Sequence, residues 1–295
     1  MGLAERVVAA LASDPGEVVV PPPGDGAGHW AGGPSVVAED GLVWLAYRLR
    51  RPEDSGRGFA NIVAISDDGV RFRTIATLVS VQLAAASLER PALVRRPDGG
   101  WRMYVSCATP DSKHWWVEAL DADIPMELPV GRRTTVLAGD AATAWKDPVV
   151  HRDGDLWSMW VCRHPLDGGD DEADRMSTWY ATSADGLAWS APVPALVPEA
   201  EGWDRRGRRL TAVMPGASWT AFYDGRASAD ENFSERTAGA IGAGPASFEP
   251  ATGPTPPGRA LRYLTVAEVR AGHRLYWEAE RDDGAHELRT LLVPR

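Results

Sequence analysis

KDPVVHRDGDLWSMWVCR (residues 146–163) contains the pattern that decides the fold: a proline, a short apolar run, an acidic-glycine turn and an aromatic-rich run. The same pattern occurs in GGPSVVAEDGLVWLAYR (32–48) and in ERPALVRRPDGGWRMYVS (89–106). The three prolines, Pro34, Pro91 and Pro148, are spaced by 57 residues. Each stretch predicts two strands joined by a tight turn. The regular spacing indicates an internal repeat, which sets the architecture of the chain.

Weaker copies continue the repeat. They are RRLTAVMPGASWTAFYDGR (208–226) and LTVAEVRAGHRLYWEAE (264–280), so 295 residues hold about five units. A third predicted strand leads to a Ser-x-Asp-Gly-x-x-aromatic segment at 66–72 and 183–189, with a weaker echo at 240–248. Four antiparallel strands per unit, repeated around an axis, make a β-propeller. A β-sandwich or a solenoid is the alternative, but units of 57 residues are long for a solenoid and too regular for a sandwich.

The sequence therefore predicts an all-β, five-bladed β-propeller with four antiparallel strands per blade, forming one domain over residues 1–295. We expect a short amphipathic helix and a closing strand within about 1–27. The blades are expected at about 28–80, 81–140, 141–200, 201–255 and 256–295. The fifth unit runs out at Arg295 after roughly three strands. EVVV (17–20) is the candidate for its outer strand, because pairing the chain ends removes an exposed edge.

Composition limits the classes of function. The chain carries 31 Lys and Arg against 41 Asp and Glu, and a formal net charge of −10 argues against binding nucleic acid or an anionic membrane surface. No apolar run approaches the roughly 18 residues of a membrane helix. Cys107 and Cys162 are too few for a disulfide framework or a zinc site. We therefore expect two buried thiols, no metal, no cofactor and a cytoplasmic protein. The acidic segment 167–175 could chelate calcium, but a solvated loop is favoured because its order does not match an EF-hand.

One face of the predicted propeller carries the long loops. Because strands alternate in direction, the loops between second and third strands share a face with the start of each first strand. These loops are long and polar, at 50–58, 109–113, 164–175 and 224–235, whereas the opposite face has only tight turns. Long loops on a rigid frame usually carry function, so we expect a site at this mouth of the channel.

Two carboxylates begin neighbouring blades at this mouth. Glu89 and Asp147 lie at near-equivalent positions of the repeat, beside Arg90, Lys146 and Arg208. Converging acids with basic neighbours suit general acid/base chemistry or polyol binding. The alternative is a structural role, in which Glu89–Lys146 or Asp147–Arg90 ion pairs fix adjacent blades. Further candidate ligand contacts near the mouth are His29, Trp30, Arg48, Trp145, Arg163, His164, Asp224, Arg226 and Tyr263.

The chain resembles the five-bladed propeller glycoside hydrolases, namely the arabinosidase/xylosidase, fructosidase and mannoside-phosphorylase group. The resemblance rests on WKDPVV (145–150), LERPALV (88–94) and the two Ser-x-Asp-Gly segments, and it extends over roughly residues 28–295. It implies that Asp147 orients and tunes the reaction, that Glu89 is the general acid, and that a first-blade Asp is the base or nucleophile. That last residue is missing, because Gly33 and Pro34 stand in its place and Asp25 is the nearest upstream carboxylate.

The missing acid leaves several interpretations open. Two-acid glycoside hydrolysis needs a second working carboxylate. Either Glu89 and Asp147 form the working pair, or Asp25 reaches in from its loop, or the site binds without hydrolysing. We expect a glycosidase-like protein that binds a carbohydrate or a glycosylated small molecule at the mouth. Hydrolysis, binding alone and phosphorolysis stay open, as does the oligomeric state. The arginines near the mouth also suit a phosphate or carboxylate group on a ligand.

Overall fold

The computed structural model describes residues 1–168, 172, 174–257 and 260–295, and strands make up most of its regular structure. The chain begins with α1 (Leu3–Ser13) and β1 (Glu17–Val20). Short 3-10 helices occur at Glu53–Ser55, Ser80–Leu83 and Pro125–Val130.

The other described strands form five consecutive units. Unit 1 consists of β2 (Trp30–Glu39), β3 (Leu42–Arg50), β4 (Gly58–Ser66) and β5 (Arg73–Val79). Unit 2 consists of β6 (Leu88–Arg95), β7 (Trp101–Ala108), β8 (Trp115–Ala122) and β9 (Arg132–Leu137). Unit 3 consists of β10 (Thr143–Asp153), β11 (Leu156–Pro165), β12 (Ser177–Ser183) and β13 (Val193–Leu196). Unit 4 consists of β14 (Gly207–Met214), β15 (Trp219–Arg226), β16 (Arg236–Gly244) and β17 (Ser247–Pro250). Unit 5 contains β18 (Leu261–Val269), β19 (Gly272–Glu280) and β20 (His286–Pro294).

The strands of each unit pair antiparallel in chain order. Units 2, 3 and 4 are separate four-stranded sheets, whereas a parallel bridge between Trp30 and His286 joins units 1 and 5. The first strands contact each other in the cyclic order β2, β6, β10, β14, β18 and again β2. The prediction of an all-β chain built from four-stranded antiparallel units is thereby confirmed.

The N-terminal segment completes unit 5. Strand β1 pairs antiparallel with β20, with Glu17 opposite Thr290, as predicted for the EVVV segment. Helix α1 buries Ala4, Val7 and Leu11 against strands of units 4 and 5. The edge of the last unit is therefore covered, and the two ends of the chain share one sheet.

Each first strand carries an irregularity near its start. In units 1, 2, 3 and 5 two consecutive residues oppose a single residue of the second strand, which is typical of a β-bulge. The first of the two residues is Gly33, Glu89, Asp147 and Tyr263, respectively. Glu89 and Asp147 are therefore equivalent. The 57-residue spacing of the prolines would align Arg90 with Asp147 instead, because the first bulge residues of units 2 and 3 are 58 residues apart.

The Ser-x-Asp-Gly segments join neighbouring units. In unit 1 the carbonyl of Gly69 accepts a hydrogen bond of 2.8 Å from the hydroxyl of Tyr276, which belongs to unit 5. In unit 3 the carbonyl of Gly186 accepts one of 2.7 Å from the hydroxyl of Tyr104, which belongs to unit 2. The aromatic residue that ends each segment packs edge-on against the same tyrosine. The motif thus forms a turn and also holds two units together.

The remaining sequence expectations concern the two cysteines, membrane-spanning helices, metal ligands and the acidic segment 167–175. Cys107 and Cys162 are buried, as predicted, and burial raises the pKa of both thiols. No helix in the described part of the chain has the length and apolar character needed to span a membrane. Within the same residues no group of three or more His, Cys, Asp or Glu side chains could hold a metal ion. The segment 167–175 falls partly outside the described residues, and the cytoplasmic location stays a prediction.

Candidate functional site

A cavity of about 370 Å³ opens where the long loops meet the starts of the first strands. Its lining includes Glu53, Ser112, Asp174 and Asn232, one from each loop between the second and third strands of units 1 to 4. Glu89, at the bulge of unit 2, is also part of the lining. The loops and the bulges therefore meet at one mouth, which we call the mouth cavity.

The mouth cavity brings together part of the predicted site. The predicted residues that line it are Arg48, Glu89, Lys146, His164, Arg226 and Tyr263. Three others, Trp30, Asp147 and Asp224, contact lining side chains without lining the cavity themselves. The remaining predicted residues are His29, Arg90, Trp145, Arg163 and Arg208, and their contacts lie elsewhere.

Glu89 presents its carboxylate to the cavity among cationic side chains. It is 4% exposed, forms an ion pair with Nη1 of Arg48 and lies 4.0 Å from Nη1 of Arg50. Burial raises the pKa of the Glu89 carboxyl, but Arg48, Lys146 and Arg50 outweigh burial and lower that pKa to about 2. Glu89 is therefore ionised at neutral pH, which suits accepting hydrogen bonds from a ligand or acting as a base.

Asp147 lies behind the cavity wall. Its Oδ2 is 3.3 Å from the hydroxyl of Tyr263 and 3.3 Å from Nη1 of Arg209, and it is 3.9 Å from Nζ of Lys146. Its other oxygen, Oδ1, is buried and has no hydrogen-bond partner among the described residues. The backbone N–H of Asp147 donates to Oγ of Ser106 at 2.8 Å, which fixes the bulge. Tyr263 and Lys146 thus separate this carboxylate from the cavity.

Asp224 holds Arg209 from the other side. Its Oδ2 accepts hydrogen bonds of 2.9 Å from Nη2 of Arg209 and from the backbone N–H of Tyr263, and its Oδ1 accepts one of 3.1 Å from the hydroxyl of Thr237. Burial raises the pKa of the Asp224 carboxyl, and Arg209 opposes that shift. The guanidinium carbon of Arg209 lies 3.8 Å from the ring centroid of Tyr263. Asp224 therefore positions a cation and an aromatic ring of the cavity wall.

The last unit places a carboxylate beside the position where the first unit lacks one. An added Cβ at Gly32, next to the bulge of unit 1, would overlap Oε2 of Glu278 from β19. Glu278 accepts a hydrogen bond of 2.9 Å from Nη2 of Arg48 and lies 3.3 Å from Nη1 of Arg262. Burial raises the pKa of Glu278, but Arg262 and Arg48 outweigh it and hold the pKa well below its usual range. Because Arg48 also binds Glu89, one guanidinium links the two carboxylates.

Arg90 bonds to two other units outside the mouth cavity. Its Nη2 donates to the carbonyl of Thr211 in unit 4 at 2.7 Å, and its Nε donates to the carbonyl of Pro34 in unit 1 at 3.2 Å. Burial lowers the pKa of Arg90 to about 10. The residue also lines a second cavity of about 590 Å³, further along the first strands and outside the mouth cavity. Its contacts thus join units 1, 2 and 4 through backbone carbonyls. The Asp147–Arg90 ion pair considered from the sequence is not formed among the described residues, where Asp147 pairs with Lys146 and Arg209.

The other predicted residues outside the mouth cavity contact nearby side chains or backbone. The pairs are His29 with the backbone of Gly26, Trp145 with Trp179, Arg163 with Thr143 and Arg208 with Asp204. Trp30 instead lies next to the cavity lining, because its ring stacks on His286 at 4.5 Å and carries the guanidinium of Arg50 at 4.2 Å.

Sequence reasoning missed several charged residues that shape the site. They are Arg50, Arg209, Glu235, Arg262 and Glu278. The repeats did contain one signal for Glu278: it stands at the same position of its second strand as Arg48 and Asp224, two of the predicted site residues. In units 1, 2, 3 and 5 this residue of the second strand pairs with the residue just before the bulge. In unit 4 the equivalent residue pairs with Arg209. The equivalent residues of the five units are Arg48, Cys107, Cys162, Asp224 and Glu278.

No family model and no curated protein matches the sequence. Solved structures do match the fold of the chain. A thermostable family-43 glycoside hydrolase matches with a TM-score of 0.69 at 11% identity, over 88% of this chain and 88% of that chain. A family-43 enzyme from Xanthomonas citri, complexed with xylose, matches with a TM-score of 0.64 at 13% identity, over 98% of this chain and 92% of that chain.

A third solved structure concerns the family-130 mannoside phosphorylases, which contain glycoside hydrolases that target β-1,2 mannosidic linkages in Candida mannan. It matches with a TM-score of 0.60 at 12% identity, over 94% of this chain and 87% of that chain. The fold is that of the propeller glycoside hydrolases. The resemblance inferred from the motifs is thereby confirmed, and at these identities it concerns the fold alone.

Proposed function

We propose that the five units are the blades of a single five-bladed β-propeller domain over residues 1–295, whose mouth cavity binds a carbohydrate or a glycosylated small molecule. The cyclic contacts of the first strands support the blade count. The likeness to glycoside hydrolases supports the ligand class. The observation that carries the proposal is the cavity itself, which combines an ionised carboxylate, guanidinium groups and aromatic rings on the face with the long loops.

The cavity offers the two kinds of contact that suit a sugar. The carboxylate of Glu89 and the ammonium of Lys146 can hydrogen-bond to ligand hydroxyl groups, and Arg48 holds Glu89 in place. The rings of Trp115 and Phe233 belong to the same lining, and Phe233 is 43% exposed. Aromatic surface next to well-placed polar groups is the usual composition of a small-molecule site.

Hydrolysis of a glycosidic bond by Glu89 and Asp147 is the second candidate. One observation favours it: Lys146 lies 3.9 Å from Asp147 and also lowers the pKa of Glu89, so both acids converge on one part of the wall. The low pKa of Glu89 suits a base or nucleophile better than the general acid that the resemblance implies. Asp147 would then orient Lys146, and the Lys146 ammonium in the cavity lining would protonate the leaving oxygen while Glu89 takes the proton from the attacking water.

The test combines binding with turnover. Binding and turnover of a panel of aryl glycosides are measured with and without inorganic phosphate. The proteins compared are the wild type, Glu89→Gln and Asp147→Asn. Glu249→Gln, which alters an exposed residue, is the control. We expect Glu89→Gln to weaken binding by about tenfold or more, because a charged hydrogen-bond acceptor is lost. Glu249→Gln should behave as the wild type. Circular dichroism checks that each variant is folded.

Each outcome bears on one claim. Failure of every glycoside to bind the wild type would overturn the proposed function. Binding that is unchanged in folded Glu89→Gln would remove this residue from the site. Turnover that is lost in both carboxylate variants supports hydrolysis, and turnover that requires phosphate replaces hydrolysis with phosphorolysis.

A further inference from the structure

Basic side chains outnumber acidic ones at the surface of the mouth cavity. Of the described residues that line it, eight are Lys or Arg, and three, Glu53, Glu89 and Asp174, are acidic. Further carboxylates contact the lining arginines without lining the cavity; they include Asp147, Asp224, Glu235 and Glu278. A ligand that enters the cavity therefore meets mostly cationic groups, and the compensating acids lie behind them.

Arg50 is weakly compensated among these cations. It is 7% exposed, and its Nε is buried without a hydrogen-bond partner among the described residues. Among the described residues, the carboxylate within ion-pair distance of Arg50 is that of Glu89, which is 4.0 Å away and already bound by Arg48. Burial lowers the pKa of Arg50, Glu89 opposes this shift, and the neighbouring Arg48, Arg57 and Arg262 add to it, so that the pKa is about 10. A guanidinium buried among like charges is stabilised by an added anion.

Aromatic rings hold this guanidinium. Its central carbon lies 4.2 Å from the ring centroid of Trp30 and 5.3 Å from that of Phe233. Ring stacking uses the faces of the guanidinium plane, so the N–H groups in that plane stay available for an acceptor. Phe233 also lines the cavity, and part of its side chain is exposed to solvent. The guanidinium of Arg50 and the apolar ring of Phe233 therefore lie side by side.

We propose that the ligand of the mouth cavity is an acidic carbohydrate, whose carboxylate or phosphate group binds Arg50 while its sugar ring packs against Phe233. This inference rests on the proposed function and narrows its ligand class. The fork of an arginine binds either oxyanion through two parallel hydrogen bonds. Arg57 and Arg262 add attraction at longer range. Glu89 stays paired with Arg48 and accepts hydrogen bonds from the sugar hydroxyls.

A carbohydrate array of matched pairs tests the proposal. Each neutral oligosaccharide is printed beside its uronate and its sugar-phosphate counterpart, and the strongest pair is followed by titration calorimetry. Inorganic phosphate and acetate are titrated alone. We expect the wild type to bind the acidic member about tenfold or more tightly than the neutral one. The difference should shrink as the salt concentration rises.

Variants assign the preference to Arg50. Arg50→Gln should abolish it, and Arg50→Lys should keep part of it, because the charge remains but the fork is lost. Arg95→Gln is the matched control, since Arg95 pairs with Glu39, which lies outside the mouth cavity. The comparison of acidic with neutral members on the wild type does not depend on the folding of any variant.

The outcomes separate this inference from the proposed function. Equal or tighter binding of the neutral members overturns the inference and leaves carbohydrate binding intact. Absence of binding to any member of the array overturns both. If inorganic phosphate binds as tightly as the acidic sugars, the inference is also overturned, because the cavity then binds a free anion. A preference that persists in folded Arg50→Gln removes Arg50 from the site.

Discussion

The carboxylate of Glu278 occupies the space into which a side chain at Gly32 would project. Gly32 belongs to β2 of unit 1 and Glu278 to β19 of unit 5, so the two residues meet where the first and last units join. From this place Glu278 contacts Arg48 and Arg262, both of which line the mouth cavity. The missing side chain in the first unit and the carboxylate from the last unit therefore belong to one packing arrangement.

Gly32→Ala is expected to destabilise the protein by about 1–3 kcal/mol, because the methyl group overlaps the Glu278 carboxylate and forces it away from Arg48. Urea unfolding measures the change. Gly244→Ala is the control, since an added Cβ at Gly244 meets no atom within 4 Å. Equal stability of the two variants would contradict the overlap.

The stability of the protein should fall in acid partly through Glu89. Its pKa is lowered from 4.5 to about 2 in the folded state, so the ionised form stabilises the fold above pH 4.5 and this contribution is lost as the pH falls towards 2. Glu89→Gln removes one partner of a buried ion pair and should cost about 3–5 kcal/mol at neutral pH. The difference in unfolding free energy between wild type and variant should shrink in acid. A difference that stays constant down to pH 2 would contradict the shift.

Arg90→Met should destabilise the protein by about 3 kcal/mol, because the carbonyls of Pro34 and Thr211 lose their donor. Arg71→Met, at an exposed arginine, serves as the control in the same unfolding assay. Any ligand of the mouth cavity should bind the folded Arg90→Met variant as it binds the wild type. A clear loss of binding in the folded variant would instead support the ligand contact that the sequence predicts for Arg90.

Tyr104→Phe and Tyr276→Phe should each lower the unfolding free energy by about 1 kcal/mol, since each removes one buried hydrogen bond between units. The two bonds lie at different junctions, so the losses should add in the double variant. Thermal and urea unfolding provide the measurement. Two single variants as stable as the wild type would show that the Ser-x-Asp-Gly turns do not join the units through these hydroxyls.

Much of the fold could be predicted because it follows from short-range rules. The spacing of Pro34, Pro91 and Pro148 revealed the repeat, and strand and turn preferences defined the strands within it. The shortfall after the third strand of the last unit indicated that residues 17–20 supply its fourth strand, and β1 does so. The proline spacing is one residue out of step with the bulge in unit 2, because Pro34 and Pro148 are the second residue of their bulges whereas Pro91 follows its bulge.

The candidate site was predicted in part. Loop length indicated which face opens, and Arg48, Glu89 and Tyr263 do line the cavity there. The role of Arg50 was missed, because an arginine at the end of a strand resembles any exposed charge until its stacking on Trp30 is known. Glu278 was missed although it shares a second-strand position with Arg48 and Asp224, since its sequence neighbours give no sign that Gly32 leaves room for it.

The sequence by itself determined the four-stranded repeat, the strand that completes the last unit and the face that carries the loops, because strand, turn and loop preferences act over a few neighbouring residues. Only the tertiary structure decided which charges meet: Glu278 beside Gly32, Arg90 on the carbonyls of two other units, and Arg50 between aromatic rings. Apart from Trp30, which is the cross-strand neighbour of Arg50, these partners come from different units. Their pairing depends on how the units pack against one another, which a local pattern of residues does not encode.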